Sequence, residues 1–133
     1  MALISVTRLQ LRTWRFLPGF IPIILGSWRQ AQRAPGNLGV QLVREAGLIF
    51  WTLTAWDDEA AMRTYMTSGN HRQAMPKLVD WCDEAAVVHW TQPTAELPDL
   101  AEAHHRMQTE GRFSRVRHPS PDQAAGRIPK LRR

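Results

Sequence analysis

The sequence is almost without cysteine: Cys82 stands alone among 133 residues. A single thiol closes no internal disulfide and builds no cysteine-rich zinc site, and it fits a reducing compartment. Long apolar runs are missing too. The most apolar stretch, Phe16 to Trp28, has thirteen residues, is interrupted by Pro18, Gly19 and Pro22, and is flanked by Arg15 and Arg29. A membrane-spanning helix needs about 20 mostly apolar residues, so no membrane segment is expected. The start, MALISVTRLQLR, alternates as a strand does and has none of the order of an export signal. The expectation is a soluble, cytoplasmic protein. No Walker loop, GxGxxG, HExxH, CxxC or GxSxG pattern occurs, so nucleotide, zinc-protease and serine-hydrolase readings have no support.

What is present is the composition of one globular domain, 44% apolar and 22% charged. The net charge of +5 is unevenly placed. Residues 112–133 carry seven basic side chains against Asp122, a net of +6, whereas residues 1–111 carry ten against eleven acidic, a net of −1. The basicity therefore belongs to the end of the chain and not to a folded face, and nucleic acid is not an expected partner. The chain divides into a domain over 1–111, ending in an outer helix, and a basic, flexible tail over 112–133.

Hydrophobic periodicity gives the elements. Residues 3–13 alternate with period two and predict a strand. Ile21, Ile24, Leu25 and Trp28 form one helical stripe, stopped by Pro35-Gly36. Leu38–Arg44 and Leu48–Trp56 predict two more strands, the latter apolar on both faces as a covered central strand is. Asp57 or Asp58 caps a second helix, which Ser68-Gly69 interrupts and Pro76 kinks or restarts. Ala85–Thr91 is a fourth strand, and Leu97–Glu110 an outer helix. The order defines an α+β, ferredoxin-like βαββαβ domain: a four-stranded antiparallel sheet with helices on one face. The other face, carrying Trp51 and Trp90, would need a cover, and a homodimer is the expected one.

Three segments carry a family resemblance. They are Ala34-Pro35-Gly36-Asn37-Leu38-Gly39, the run from Phe50 through Trp56-Asp57-Asp58-Glu59 to Met62, and Ser68-Gly69-Asn70-His71-Arg72-Gln73-Ala74-Met75. Over residues 1–92 the chain resembles the antibiotic-biosynthesis-monooxygenase-like superfamily of dimeric α+β barrels, nearest its spheroidene-monooxygenase-like branch. That superfamily includes cofactor-free oxygenases, haem enzymes and isomerases. Its haem-degrading branch carries an Asn, a Trp and a His where Thr7, Tyr65 and Met75 stand here, so that triad is absent.

His71 is the leading candidate for chemistry. It shares a helical face with Met75 and Leu78, and its imidazole suits either an axial ligand to haem iron or a base near neutral pH. Tyr65 and Asn70 are candidate proton donors beside it. Trp28 and Trp56 are candidate pocket walls for a flat apolar molecule, with Met75 and Thr7 as further contacts. Arg8, within strand one, is a candidate for binding a carboxylate or enolate. His104-His105 diverge by about 100° on a helix and make no metal pair. The resulting expectation is a monooxygenase-like enzyme, haem-dependent or cofactor-independent, acting on an apolar or aromatic small molecule. Two alternatives stand beside it: a non-redox isomerase or cyclase using His71 and Arg8, and a non-catalytic binding module whose contact surface is the tail.

Overall fold

The computed structural model describes residues 1–132; of the basic tail, only Arg133 lies outside the described residues. Strand β1 (Ala2–Leu11) leads through a single 3-10 turn into α1 (Leu17–Arg33). Strands β2 (Asn37–Ala46) and β3 (Ile49–Trp56) follow, then α2 (Glu59–Met66), α3 (Gly69–Trp81) and β4 (Cys82–Gln92). Helix α4 (Leu100–Glu110), the short β5 (Arg112–Phe113) and α5 (Pro121–Ala125) complete the chain. The sheet is antiparallel with order β2-β3-β1-β4-β5. Its first four strands are in the ferredoxin-like order, and β5 adds a fifth strand that the sequence pattern did not predict.

Local chemistry accounts for the boundaries. The carboxylate of Asp58 caps α2 by accepting the Ala61 N–H at 2.8 Å, and Glu59 sits in the positive first turn. Gly69, at φ 58°, turns the chain between α2 and α3 in a conformation that L side chains rarely adopt. Pro76, where a kink or restart was expected, lies inside α3 on its exposed side, and the helix runs through it. Helix α1 is rotated from the predicted stripe: Phe20, Ile24, Ser27 and Ala31 turn inward, while Ile21 and Leu25 are exposed. Phe20 sets this phase. It packs with Leu11 and Cys82, and its ring lies 5.0 Å from that of Phe50. Burial, reinforced by the Asp83 charge, pushes the Cys82 thiol up to about 12, which leaves it inert.

The two faces of the sheet are built differently. On one, Ile4 and Val6 of β1 meet Trp51, Leu53 and Ala55 of β3 and Ala86, Val88 and Trp90 of β4 under Ala103 and Met107 of α4. Ile128 and Leu131 pack on the same cluster. Helices α1, α2 and α3 lie on the opposite face. The face expected to await a second copy is thus covered by the chain's own C-terminal third, with Trp51 0% and Trp90 8% exposed. A homodimer would have to use another surface or displace α4.

The segment expected to be a flexible tail is tied down. Ser114 donates its N–H to the Ala85 carbonyl and Ser120 to that of Asp83, both at 2.9 Å. Ser120 Oγ donates to Glu84 Oε2 at 2.7 Å, and the Arg132 N–H to Glu45 Oε2 at 3.0 Å. Few apolar residues are needed here, because a preformed sheet edge supplies backbone partners. Truncation after Gly111 would strip partners from Glu45, Glu84 and Ala85, each orphaned group costing about 1–3 kcal/mol. A loss of at least about 3 kcal/mol is expected from urea unfolding. An unchanged midpoint, with rapid tryptic release of this segment from the full chain, would contradict the packing.

Candidate functional site

The floor of the helix-covered face is made of short side chains. Ser5 and Thr7 of β1 stand opposite Thr54 and Thr52 of β3, and none reaches far enough to fill the space beneath the helices. A cavity of about 120 Å³ results. Trp28 of α1, Tyr65 of α2, and His71 and Met75 of α3 wall it, with Trp56 at the end of β3. Apart from the hydroxyl floor, the lining is mostly apolar.

Its polar groups are fixed one to another. Thr54 Oγ1 accepts the Trp56 indole N–H at 2.8 Å and donates to the Ser5 carbonyl at 3.3 Å. The Trp56 ring lies 5.1 Å from that of Tyr65, tilted by 32°, and the Tyr65 hydroxyl donates to the Ser27 carbonyl at 3.1 Å. Burial pushes the Tyr65 phenol up to about 12, so its proton stays and is already engaged. Tyr65 therefore orients rings and is not a free proton donor.

His71 is placed by the break between α2 and α3. Gln30 of α1 spans that break: its Nε2 donates to the carbonyls of Tyr65 at 3.2 Å and Ser68 at 2.7 Å, and its Oε1 accepts the His71 N–H at 2.9 Å. The His71 ring lies 4.9 Å from that of Tyr65, with Nδ1 3.1 Å from the Met66 carbonyl oxygen. A carbonyl only accepts, so Nδ1 carries the proton and Nε2 the lone pair. Nε2 has no partner among the described residues. Burial holds the His71 pKa below its ordinary value, with the Met66 hydrogen bond opposing. The ring is a neutral, oriented base at neutral pH.

Of the residues singled out from sequence, His71, Tyr65, Trp28, Trp56, Met75 and Thr7 come together in this cavity. Two do not. Arg8 shares a face with Ile4 and Val6, as the alternation implied, but that is the sealed face. It is 2% exposed and pairs at 2.7 Å with the equally buried Glu84. Asn70 is exposed and packs beside Gly26 of α1, where any side chain at 26 would collide with its amide. It lies between α3 and α1 and is not among the residues that line the cavity. Missed from sequence were the rest of the hydroxyl floor (Ser5, Thr52 and Thr54), Gln30 and Arg115, which lies at the cavity rim. Ser and Thr alternating with apolar residues on two predicted strands signalled the floor; nothing local signalled Gln30. No group of three or more metal-binding side chains occurs among the described residues, nor any helix long and apolar enough to cross a membrane.

A four-stranded ferredoxin-like sheet, hollow beneath its helices and floored by hydroxyls, has the fold of the antibiotic-biosynthesis-monooxygenase-like proteins. A putative antibiotic biosynthesis monooxygenase from Nitrosomonas europaea is similar, with a TM-score of 0.62 at 15% identity over 69% of this chain and 99% of that one. SnoaB, a cofactor-independent oxygenase from Streptomyces nogalater, gives 0.58 at 16% over 70% and 94%. A conserved protein from Methanosarcina mazei gives 0.63 at 17% over 69% and 93%. Identities this low establish the fold alone. No curated protein matches the chain. Residues 16–112 match the family described as "Domain of unknown function (DUF3291)", and the chain belongs to that family.

The reassignment of Arg8 has a consequence for stability. Arg8→Ala leaves Glu84 buried without its cation, at an expected cost of about 3–5 kcal/mol. The double variant Arg8→Met with Glu84→Leu should cost less, because no charge is then stranded. Chemical denaturation of both variants checks this, and wild-type stability in Arg8→Ala would refute a structural role.

Proposed function

We propose that the protein is a cofactor-independent, monooxygenase-like enzyme acting on a small apolar or aromatic molecule, with His71 as the base. The observation that carries this is His71 itself: a neutral imidazole in the cavity wall with Nδ1–H fixed to a carbonyl and Nε2 left open.

The chemistry requires only a substrate with an acidified C–H bond and molecular oxygen. That bond breaks with its proton passing to Nε2 and its electron pair remaining on carbon. The carbanion reduces O2 and joins it, giving a peroxide anion. The imidazolium returns the proton to the terminal oxygen, and where the carbon bears a second hydrogen, loss of water leaves a carbonyl. Trp28 and Trp56 offer flat apolar walls to the ring being oxidised. The Ser5, Thr7 and Thr52 hydroxyls offer hydrogen bonds to developing negative charge, whereas that of Thr54 is already given to the Ser5 carbonyl.

Haem fits less well. The His71 arrangement suits an axial ligand, since metal-bound imidazoles commonly donate their other N–H to a carbonyl. The space, however, is about 120 Å³, on the order of the roughly 150 Å³ that holds a single benzene ring, and it opens to solvent where Arg115 stands. A porphyrin is several times that size and would require α1 to part from the sheet.

Oxygen-electrode assays on apolar phenols and activated methylene compounds test the reading, with haem titration alongside. Substrate-dependent O2 uptake is expected, falling about 10²–10⁴-fold in kcat for His71→Gln. Because the base acts deprotonated, kcat/KM should rise with pH to a plateau, its midpoint below the ordinary histidine value of 6.5. Turnover without oxygen would favour the isomerase reading. A saturable Soret shift lost in His71→Ala would reinstate haem, and full activity in His71→Gln would remove His71 as the base.

A further inference from the structure

The cavity has one charged side chain in its lining, Arg115, and no carboxylate. The other arginines that follow it in the segment include two with acidic partners: Arg117 pairs with Asp80 at 3.3 Å and Arg127 with Asp122 at 3.1 Å. Arg115 has no ion pair among the described residues, and its side chain is exposed at the rim.

The backbone that presents Arg115 is not loose. On one side, the Ser114 N–H donates to the Ala85 carbonyl at 2.9 Å, and the Ser114 carbonyl accepts from Gln123 Nε2 at 2.8 Å. On the other, the Arg117 N–H donates to the Val79 carbonyl at 2.9 Å. Between them, Val116 packs against the Leu11–Phe20–Cys82 cluster. The segment is thus stitched to β4 and to the last turns of α3, and Arg115 stands at a fixed place on the rim of an otherwise apolar hollow.

A guanidinium offers paired N–H donors in a plane that matches a carboxylate, and it is weakly hydrated enough to work beside apolar surface. We propose that the cavity takes an apolar molecule bearing a single carboxylate, the body lying between Trp28 and Trp56 and the carboxylate held by Arg115. This deepens the preceding reading, since it concerns the same cavity, and it makes Arg115 a determinant of specificity. His71 contributes no second positive charge while neutral, which favours a monoanion over a phosphate dianion.

The test uses the full-length protein with three single-ring probes: benzoate, its neutral amide benzamide, and phenyl phosphate. Binding is read by calorimetry and by the tryptophan emission of the cavity walls. The acid should bind about tenfold more tightly than the amide, as expected for a charge-assisted hydrogen bond. That preference should shrink with added salt. Arg115→Gln should abolish the preference while leaving the amide's affinity unchanged, which also shows the cavity intact; Arg115→Lys should restore part of it. Equal binding of acid and amide to the wild type, a preference that survives Arg115→Gln, or tighter binding of phenyl phosphate would each overturn the assignment without touching the role of His71. Failure of every probe to bind would overturn both readings of the cavity.

Discussion

Alternation along β1 divides the molecule. This strand pairs with β3 on one side and β4 on the other over nearly its whole length, so its side chains point by turns to opposite faces. Ile4 and Val6 fill one face and help bury Trp51 and Trp90 beneath α4. Ser5 and Thr7 fall on the other, opposite Thr54 and Thr52. Large residues on the first face make a continuous core. Small hydroxylated ones on the second hold α1, α2 and α3 away from the strands, and the hollow follows from side-chain length alone. A slip of one residue in the register would exchange the two faces and remove both.

The chemistry of the hollow depends on a defect in a helix. An uninterrupted helix over 59–81 would have consumed the carbonyls of Tyr65 and Met66 in its own ladder. The break at Ser68-Gly69 leaves the Met66 carbonyl outside the ladder and that of Tyr65 with the Ser68 N–H at 3.3 Å, and buried carbonyls need partners. Gln30 takes that of Tyr65 and His71 that of Met66. One interruption therefore turns the histidine toward the cavity and selects which ring nitrogen keeps its proton. Gly69 permits the turn, and the Gln30 side chain packs where a Cβ at 69 would otherwise project.

Much of this was legible before any coordinates, and the failures have physical causes. Period-two alternation located β1, a run apolar on both faces located β3, the aspartate pair marked the cap of α2, and Ser68-Gly69 marked the break. His71 was singled out because it shares a helical face with Met75 and Leu78 in a segment that carries the family resemblance, and Trp28 and Trp56 because flat apolar side chains suit a pocket wall. Arg8 was assigned to the correct face of its strand. Which face is hollow depends on what covers each, and that is a tertiary fact. The phase of α1 was misjudged because Ile21 and Leu25 are as apolar as Ile23 and Ile24, and only Phe20 fitting against Leu11 and Cys82 settles the rotation. Composition misled over residues 112–132, since arginine-rich, proline-containing sequence resembles solvated chain. The partners that order it lie at a sheet edge distant in sequence.

That C-terminal segment joins the two faces. Ser114, Arg115 and Val116 finish the wall of the hollow beside β4, whereas Ile128 and Leu131 pack on the sealed core. Ser120, between them, bonds Glu84, which in turn neutralises the buried Arg8. The Arg8–Glu84 pair costs desolvation energy that only close contact and further hydrogen bonds offset, and Ser120 supplies one of these from the segment that also carries Arg115. The ion pair thus helps to hold in register the stretch of chain that borders the cavity. An arginine on an untethered tail would sample many positions, and ordering it on binding would oppose ligand affinity. Here that ordering is accomplished when the chain folds.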